Sequence, residues 1–140
     1  MRTPSPQIPR LIQRKGACVP NEARIAIIDD DEAMRVALVG LVRSYGYEAR
    51  GFAGGEDFLA AAALQDFDCI VTDIQMPGMS GIELKQALEA RKSCVPVIMI
   101  TARTDEGIET RVLATGARCL LRKPIVPGAL LDHIAGALTD

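Results

Sequence analysis

The sequence has few of the side chains that bind soft metals. Its 140 residues include a single histidine, His133, and four cysteines that stand far apart without a CxxC pair: Cys18, Cys69, Cys94 and Cys119. This spacing excludes a typical zinc site. Cys69 and Cys119 lie inside apolar runs, so we expect them to be small buried hydrophobic residues.

Long hydrophobic segments are also absent from the sequence. The longest apolar run, Phe58 to Leu64, is much shorter than the roughly 18 residues that a membrane span needs. The amino terminus has prolines at positions 4, 6 and 9 and no continuous apolar segment, which excludes a secretory signal peptide. We therefore expect a cytoplasmic protein that does not enter a membrane.

Charge is divided unevenly along the chain. The net charge is −2, yet residues 1–24 hold five of the 16 basic residues and only one of the 18 acidic residues. The acidic remainder disfavours direct nucleic-acid binding. Residues 1–23 also hold four of the eight prolines, so we predict a flexible, basic, proline-rich tail before one domain at 24–140. A solvated extension is favoured over a tail that binds an acidic partner or a membrane surface.

From position 24 onward, apolar strands alternate with helical periods. The strands are predicted at Ile25–Ile28, Tyr47–Phe52, Cys69–Thr72, Val95–Thr101 and Ala117–Leu121. The helices are predicted at 34–45, 56–64, 82–91, 105–115 and 131–138, with Ser80 as the N-cap of the third. Continuous apolar strands favour a parallel sheet covered by helices on both faces. The predicted fold is a doubly wound, flavodoxin-like α/β fold, (βα)5, with strand order 2-1-3-4-5.

Acidic residues stand at the carboxyl ends of strands 1 and 3, which are neighbours in this order. Asp29 and Asp30 follow strand 1, and Asp73 follows the apolar run of strand 3, at the crevice where such folds bind ligands. No GxGxxG motif follows strand 1, which excludes a typical dinucleotide site. Asp31 suffices as the N-cap of helix 1. Three close carboxylates repel one another unless a cation joins them, and Mg²⁺ prefers such oxygen ligands, whereas Zn²⁺ would need His or Cys.

A hydroxyl group and an ammonium group reach the same edge of the predicted sheet. Thr101 ends strand 4, and Lys123 follows strand 5, where Pro124 sets the direction of the lysine and allows a cis peptide bond. The metal and the lysine would neutralise phosphate charge, and the hydroxyl would bind one phosphate oxygen. Asp73 is then the nucleophile that becomes an aspartyl phosphate.

These motifs resemble those of a known family. The segments Ile27–Arg35 (IIDDDEAMR), Val71–Gly81 (VTDIQMPGMSG), Ile100–Ala102 (ITA) and Arg122–Pro124 (RKP) occur in order and with the spacing of a receiver domain. Over about residues 24–138 the chain closely resembles the receiver domains of bacterial two-component response regulators. The resemblance is greatest to the receivers of the nitrogen-fixation and nitrate regulators.

The resemblance implies a role for each site residue. The phosphoacceptor would be Asp73, the switch hydroxyl Thr101 and the phosphate-pairing ammonium Lys123. Mg²⁺ would bind to four groups: Asp29, Asp30, Asp73 and the backbone carbonyl of Gln75. The implied phosphoryl donor is the phosphohistidine of a histidine kinase or a phosphotransfer protein, and phosphorylation could produce a homodimer. The domain would not be an enzyme but an acceptor that promotes its own phosphorylation and slow dephosphorylation.

Two positions depart from the usual receiver pattern. Receivers usually have Tyr or Phe where this chain has Leu120, and Phe after the Lys-Pro pair, where it has Ile125. Both lie on the surface formed by helix 4, strand 5 and helix 5, through which phosphorylation would control a partner. They are the basis of an alternative function, a receiver-like protein-binding module that works independently of phosphorylation.

A third function, a Mg²⁺-dependent phosphohydrolase, is disfavoured. It would need a second acid two residues after the nucleophile, where Gln75 stands. In the resembling family, the positions of Gln75 and Arg103 tune the lifetime of the phosphoryl group. The sequence ends at Asp140 without a helix-turn-helix, so we expect either a stand-alone receiver that acts on a downstream protein or a receiver separated from its output domain.

Overall fold

Five parallel strands form a single sheet. The computed structural model describes residues 23–61 and 66–139. Its strands are β1 (Arg24–Ile28), β2 (Glu48–Phe52), β3 (Cys69–Asp73), β4 (Val97–Thr101) and β5 (Cys119–Arg122). Their order across the sheet is β2-β1-β3-β4-β5, and every neighbouring pair is parallel. The predicted doubly wound, flavodoxin-like fold is confirmed.

A helix follows each strand. The helices are α1 (Glu32–Ser44), α2 (Gly55–Ala61), α3 (Gly81–Ala90), α4 (Ile108–Ala114) and α5 (Pro127–Thr139). The predicted caps are confirmed, because the Asp31 side chain accepts a hydrogen bond at the start of α1 and the Ser80 hydroxyl does so at the start of α3. The predicted end of the second helix, at 62–64, lies outside the described residues.

Some element boundaries differ from the prediction. Helix α4 begins at Ile108, three residues after the predicted start, because Gly107 has a φ angle of 86°, which is left-handed rather than helical. Strand β4 begins at Val97 instead of at the predicted Val95, since Pro96 has no N–H group to donate to the sheet. Strand β5 begins at Cys119, two residues after the predicted start.

Two apolar layers cover the sheet, and strand side chains alternate between them. Ile25 and Cys69 pack in the layer of α1 and α5, whereas Ile28 and Met99 pack in the layer of α2, α3 and α4. All residues of β3 and β4 are buried, which explains why these strands are continuous apolar runs. Cys69 is a buried hydrophobic residue as predicted, and burial raises the pKa of its thiol to about 12. Cys119 is half-buried.

The described part of the chain begins with a residue that is hydrogen-bonded to the sheet. Ala23 is buried, and its carbonyl accepts a hydrogen bond from the Glu48 N–H at 3.0 Å. Residues 1–22 lie outside the described residues, so the flexible tail stays a prediction. No helix within residues 23–61 and 66–139 has the length and apolar character needed to cross a membrane.

Candidate functional site

Three carboxylates meet at the carboxyl ends of β1 and β3. Asp29, Asp30 and Asp73 each place a carboxylate oxygen within 4.8 Å of the others. Asp29 and Asp73 are 1% and 6% exposed, whereas Asp30 is exposed. The predicted convergence of the acids is therefore confirmed, and two of them are removed from solvent, where their mutual repulsion is strongest.

Backbone hydrogen bonds hold the two buried acids in place. The N–H of Asp29 donates to the Phe52 carbonyl at 3.1 Å, and the N–H of Ile74 donates to the Ile100 carbonyl at 2.9 Å, so the sheet ladder extends past the end of each strand. Asp29 Oδ1 accepts from the Asp31 N–H at 2.9 Å. The backbone at both acids is thus fixed by neighbouring strands or by the start of α1.

Lys123 brings a positive charge to the phosphoacceptor candidate. Its N–H donates to the Thr101 carbonyl at 2.8 Å, which places the side chain over the ends of β3 and β1. Its Nζ donates to Asp73 Oδ2 at 3.2 Å and lies 3.7 Å from Asp29 Oδ2. The peptide bond between Lys123 and Pro124 is cis, as the sequence allowed. Asp73 Oδ1 accepts from the Gln75 N–H at 3.3 Å, so both oxygens of the carboxylate have donors.

The electrostatics of the site favour an added cation. Burial is the largest cause of a raised pKa for Asp29, and repulsion from Asp73 adds to it, while a hydrogen bond from Asp31 and attraction to Lys123 oppose it. Burial would lower the pKa of Lys123, but attraction and hydrogen bonding to Asp73, followed by attraction to Asp29, raise it above its ordinary value. Negative charge therefore exceeds the positive charge that the single ammonium supplies.

One buried carboxylate oxygen is unused. Within the described ranges, Asp29 Oδ2 has no hydrogen-bond partner, and at 3.7 Å its contact with Lys123 is an ion pair rather than a hydrogen bond. A buried oxygen of this kind is costly unless something else binds it. Carboxylates of Asp29, Asp30 and Asp73 are hard oxygen donors, so the residues present fit Mg²⁺.

Thr101 lies at the same edge, but its hydroxyl is bound elsewhere. The residue is fully buried at the end of β4. Its Oγ1 donates to the Gln75 side-chain Oε1 at 3.1 Å and accepts from the Arg103 N–H at 3.0 Å. Thr101 thus lies at the predicted edge of the sheet, while the one proton of its hydroxyl is directed at Gln75.

Two features of the site were not predicted from the sequence. One is the hydrogen bond between the Gln75 side chain and Thr101, since the sequence implied a backbone metal ligand and a lifetime-tuning position at Gln75 but no contact with Thr101. The other is Gly81, where a Cβ atom would lie 2.5 Å from the Asp73 carbonyl oxygen and 3.0 Å from Ile74 Cα. The Gly81 N–H also donates to the Ile74 carbonyl at 2.9 Å. The glycine in the Met-Ser-Gly segment was the available signal, since close backbone approach requires this residue.

The fold and the site together define a receiver-type signalling domain. A family model of the response regulator receiver domain matches residues 25–135, and the chain belongs to this family. Receiver domains of two-component systems bind Mg²⁺ at an acidic pocket and interact with histidine kinases and output domains.

Known proteins support this assignment. The transcriptional regulatory protein FixJ of Azorhizobium caulinodans is 34% identical over 120 residues, which are 86% of this chain and 57% of that protein. The C4-dicarboxylate transport transcriptional regulatory protein DctR of Rhodobacter capsulatus is 35% identical over 116 residues, 81% of this chain and 59% of that protein. The chemotaxis protein CheY4 of Vibrio cholerae has a solved structure with 30% identity and a TM-score of 0.77, covering 84% of this chain and 99% of that one. The chain spans somewhat more than half the length of the two regulators.

Proposed function

We propose that the domain accepts a phosphoryl group on Asp73 from the phosphohistidine of a histidine kinase or phosphotransfer protein, with Mg²⁺ as cofactor. The observation that carries this proposal is the arrangement around Asp73. Its carboxylate is buried, bound by Lys123 and by the Gln75 N–H, and within 4.8 Å of two further carboxylates. A structural acid would need one partner and no neighbouring negative charge, so this arrangement is costly unless it serves chemistry.

The phosphoryl transfer needs few protein groups. An Asp73 oxygen attacks phosphorus, the bond between phosphorus and the histidine nitrogen breaks, and the leaving imidazole takes up a proton from solvent. The Lys123 Nζ lies 3.2 Å from Asp73 Oδ2, where it offsets the negative charge on the phosphoryl oxygens. Thr101 supplies a hydroxyl donor to one of these oxygens. Mg²⁺, held by Asp29, Asp30, Asp73 and the Gln75 carbonyl, supplies the remaining positive charge when bound.

The chain itself would act as a substrate and a switch rather than as an enzyme that turns over other molecules. The phosphohistidine of a cytoplasmic kinase or phosphotransfer protein supplies the phosphoryl group. Water then removes it slowly by attacking phosphorus, with the Asp73 carboxylate as the leaving group. The phosphohydrolase alternative lacks support from the site, because the side chain two residues after Asp73 is the neutral Gln75, bound to Thr101.

The switch surface would be formed by α4, β5 and α5. Leu120 packs at the edge of the layer of α2, α3 and α4, and Ile125 packs at the edge of the layer of α1 and α5. Movement of Thr101 toward a phosphoryl group would alter packing along this surface and so control a downstream protein or an output domain, with dimer formation as one outcome. A change from mostly off to mostly on needs about 5.5 kcal/mol of differential stabilisation.

Labelling with a small phosphodonor tests the proposal. Incubation with acetyl phosphate and Mg²⁺ is expected to label the wild-type chain, as detected by intact mass or by a phosphate-affinity gel, and Asp73→Asn is expected to abolish the label. Asp132→Asn, at an exposed position on α5, is the matched control and should be labelled normally. Persistent labelling of Asp73→Asn would refute the assignment. A beryllium fluoride complex that forms without altering the α4, β5 and α5 surface would support the phosphorylation-independent module instead.

A further inference from the structure

The Gln75 residue contacts both the phosphoacceptor and the switch hydroxyl. Its backbone N–H donates to Asp73 Oδ1 at 3.3 Å, and its side-chain Oε1 accepts from Thr101 Oγ1 at 3.1 Å. Asp73 and Thr101 lie at the ends of neighbouring strands, β3 and β4. The loop that follows the phosphoacceptor therefore reaches across to the residue that would respond to phosphorylation.

The hydroxyl of Thr101 has no spare donor. A threonine hydroxyl carries one proton, and this proton is donated to Gln75 Oε1. The same oxygen accepts from the Arg103 N–H at 3.0 Å. A bond from Thr101 to a phosphoryl oxygen on Asp73 must therefore break the bond to Gln75.

We propose that the Gln75 carboxamide is a latch that holds Thr101 in the unphosphorylated position. This inference rests on the proposed phosphorylation of Asp73, and it assigns to Gln75 a positioning role in the equilibrium between the two states. That role is separate from an effect on the lifetime of the phosphoryl group, because it acts before any phosphoryl group is present.

Burial makes the latch asymmetric. Thr101 is fully buried, so its hydroxyl proton needs a protein acceptor in the unphosphorylated state. Gln75 is exposed, so its carboxamide can bind water after release. Loss of the Gln75 acceptor would leave a buried donor unsatisfied in one state only, which shifts the equilibrium toward the state in which Thr101 binds the phosphoryl group.

Affinity for beryllium fluoride, a phosphoryl mimic, measures this shift. Gln75→Met keeps the length of the side chain and replaces the carboxamide by a weak sulfur acceptor. Calorimetric titration of beryllium fluoride at saturating Mg²⁺ is expected to show about tenfold tighter binding to Gln75→Met than to the wild type. Gln86→Met, at an exposed position on α3, is the matched control and should bind like the wild type.

The Thr101→Val background separates the latch from other effects of the substitution. In that background there is no hydroxyl to release, so Gln75→Met is expected to leave the affinity of Thr101→Val unchanged. An equal gain in both backgrounds, or no gain with Thr101 present, overturns the latch. An equal gain in affinity for Mg²⁺ alone also overturns it, because the effect would then arise at the metal. If the wild type binds no beryllium fluoride and takes no label, the proposed function fails and the latch with it.

Discussion

Helices α3 and α4 follow neighbouring strands of the sheet but begin in opposite ways. Helix α3 starts with a complete capping box, in which Ser80 Oγ accepts from the Glu83 N–H and Glu83 Oε1 accepts from the Ser80 N–H. Helix α4 has Gly107 at its N-cap position, in the left-handed region, and no side chain caps it. Between β4 and α4, residues 102–107 are all exposed.

The two helices also differ in how deeply they are anchored. Helix α3 buries Leu84 and Leu88 along with Gly81, which lies directly against the backbone of Asp73. The shorter α4 buries only Ile108 and Val112 among its residues. Because isolated short helices gain little stability from their own hydrogen bonds, anchoring decides how firmly each is held. The chain therefore fixes Asp73, the proposed phosphoacceptor, next to the firmly anchored helix α3 and places Thr101, the proposed switch residue, before the less firmly anchored helix α4.

The largest expected effect comes from Gly81→Ala, which tests whether α3 is as firmly attached as we infer. The added Cβ would lie 2.5 Å from the Asp73 carbonyl oxygen, so backbone must move apart. We expect a loss of about 3 kcal/mol in the free energy of unfolding and slower labelling of Asp73. Urea unfolding and acetyl phosphate labelling measure the two effects.

Gly40→Ala is the matched control for this substitution. Gly40 lies within α1, and a Cβ there would meet no atom within 4 Å. Alanine at this position is expected to stabilise the fold by about 0.5–1 kcal/mol. A Gly81→Ala protein as stable as the wild type would remove the contrast between α3 and α4.

A smaller effect is expected from Asp29→Asn, which removes the negative charge of a buried carboxylate that has one oxygen without a hydrogen bond. Burial first, and repulsion from Asp73 after it, raise the pKa of Asp29 above 3.8, so its ionised form is less favourable in the folded chain than in the unfolded one. Without divalent cations at neutral pH, the variant is expected to be about 1–2 kcal/mol more stable.

The pH dependence and the response to Mg²⁺ follow from the same cause. The free-energy cost of ionising Asp29 in the folded wild type is absent below about pH 3.8 and appears as the pH rises through the raised folded-state pKa. The stability that Asp29→Asn gains over the wild type should therefore vanish in acid. Mg²⁺ should stabilise the wild type more than Asp29→Asn. Thermal unfolding across pH checks both, with the exposed Asp132→Asn expected to change stability by less than about 0.5 kcal/mol. A gain that is equal at pH 3.5 and pH 7 would contradict this account.

The smallest expected effect comes from Ser80→Ala, which makes the start of α3 resemble that of α4. Loss of the hydrogen bond from the Glu83 N–H to the Ser80 hydroxyl is expected to cost about 1 kcal/mol. Hydrogen exchange of the amides at the start of α3 should become faster and approach that of α4. Ser44→Ala, at the exposed end of α1, is the control and should leave the exchange of α3 unchanged. Exchange in α3 that already equals that of α4 in the wild type would show that the cap does not produce the difference.

Much of the fold could be predicted because its signals are local. Buried apolar runs such as Ile25–Ile28 and Cys69–Thr72, each followed by an acidic residue, indicate a parallel sheet whatever the contacts between helices are. The start of α4 could not be predicted in the same way, since the acidic residues Asp105 and Glu106 suit a first helical turn and only the conformation of Gly107 excludes them.

The site shows the same division. Asp29, Asp73, Thr101 and Lys123 could be placed at one edge because each ends or follows a predicted strand. The hydrogen bond between Gln75 and Thr101 could not, because it joins residues 26 positions apart through the path of a loop. The departures at Leu120 and Ile125 were visible in the sequence, while their packing on opposite layers of the sheet was not.

The sequence by itself determined which chemical groups reach the carboxyl edge, because the apolar length of each strand decides where its polar end falls. Only the tertiary structure decided how those groups pair. Lys123 and Asp73 are 50 positions apart, and their contact depends on strand order and on the twist of the sheet between them. The oxygen of Asp29 that lacks a hydrogen bond and the partner of the Thr101 hydroxyl are also decided by the tertiary structure. Differences of a few tenths of an ångström decide whether a hydrogen bond forms, and only the packed backbone defines them.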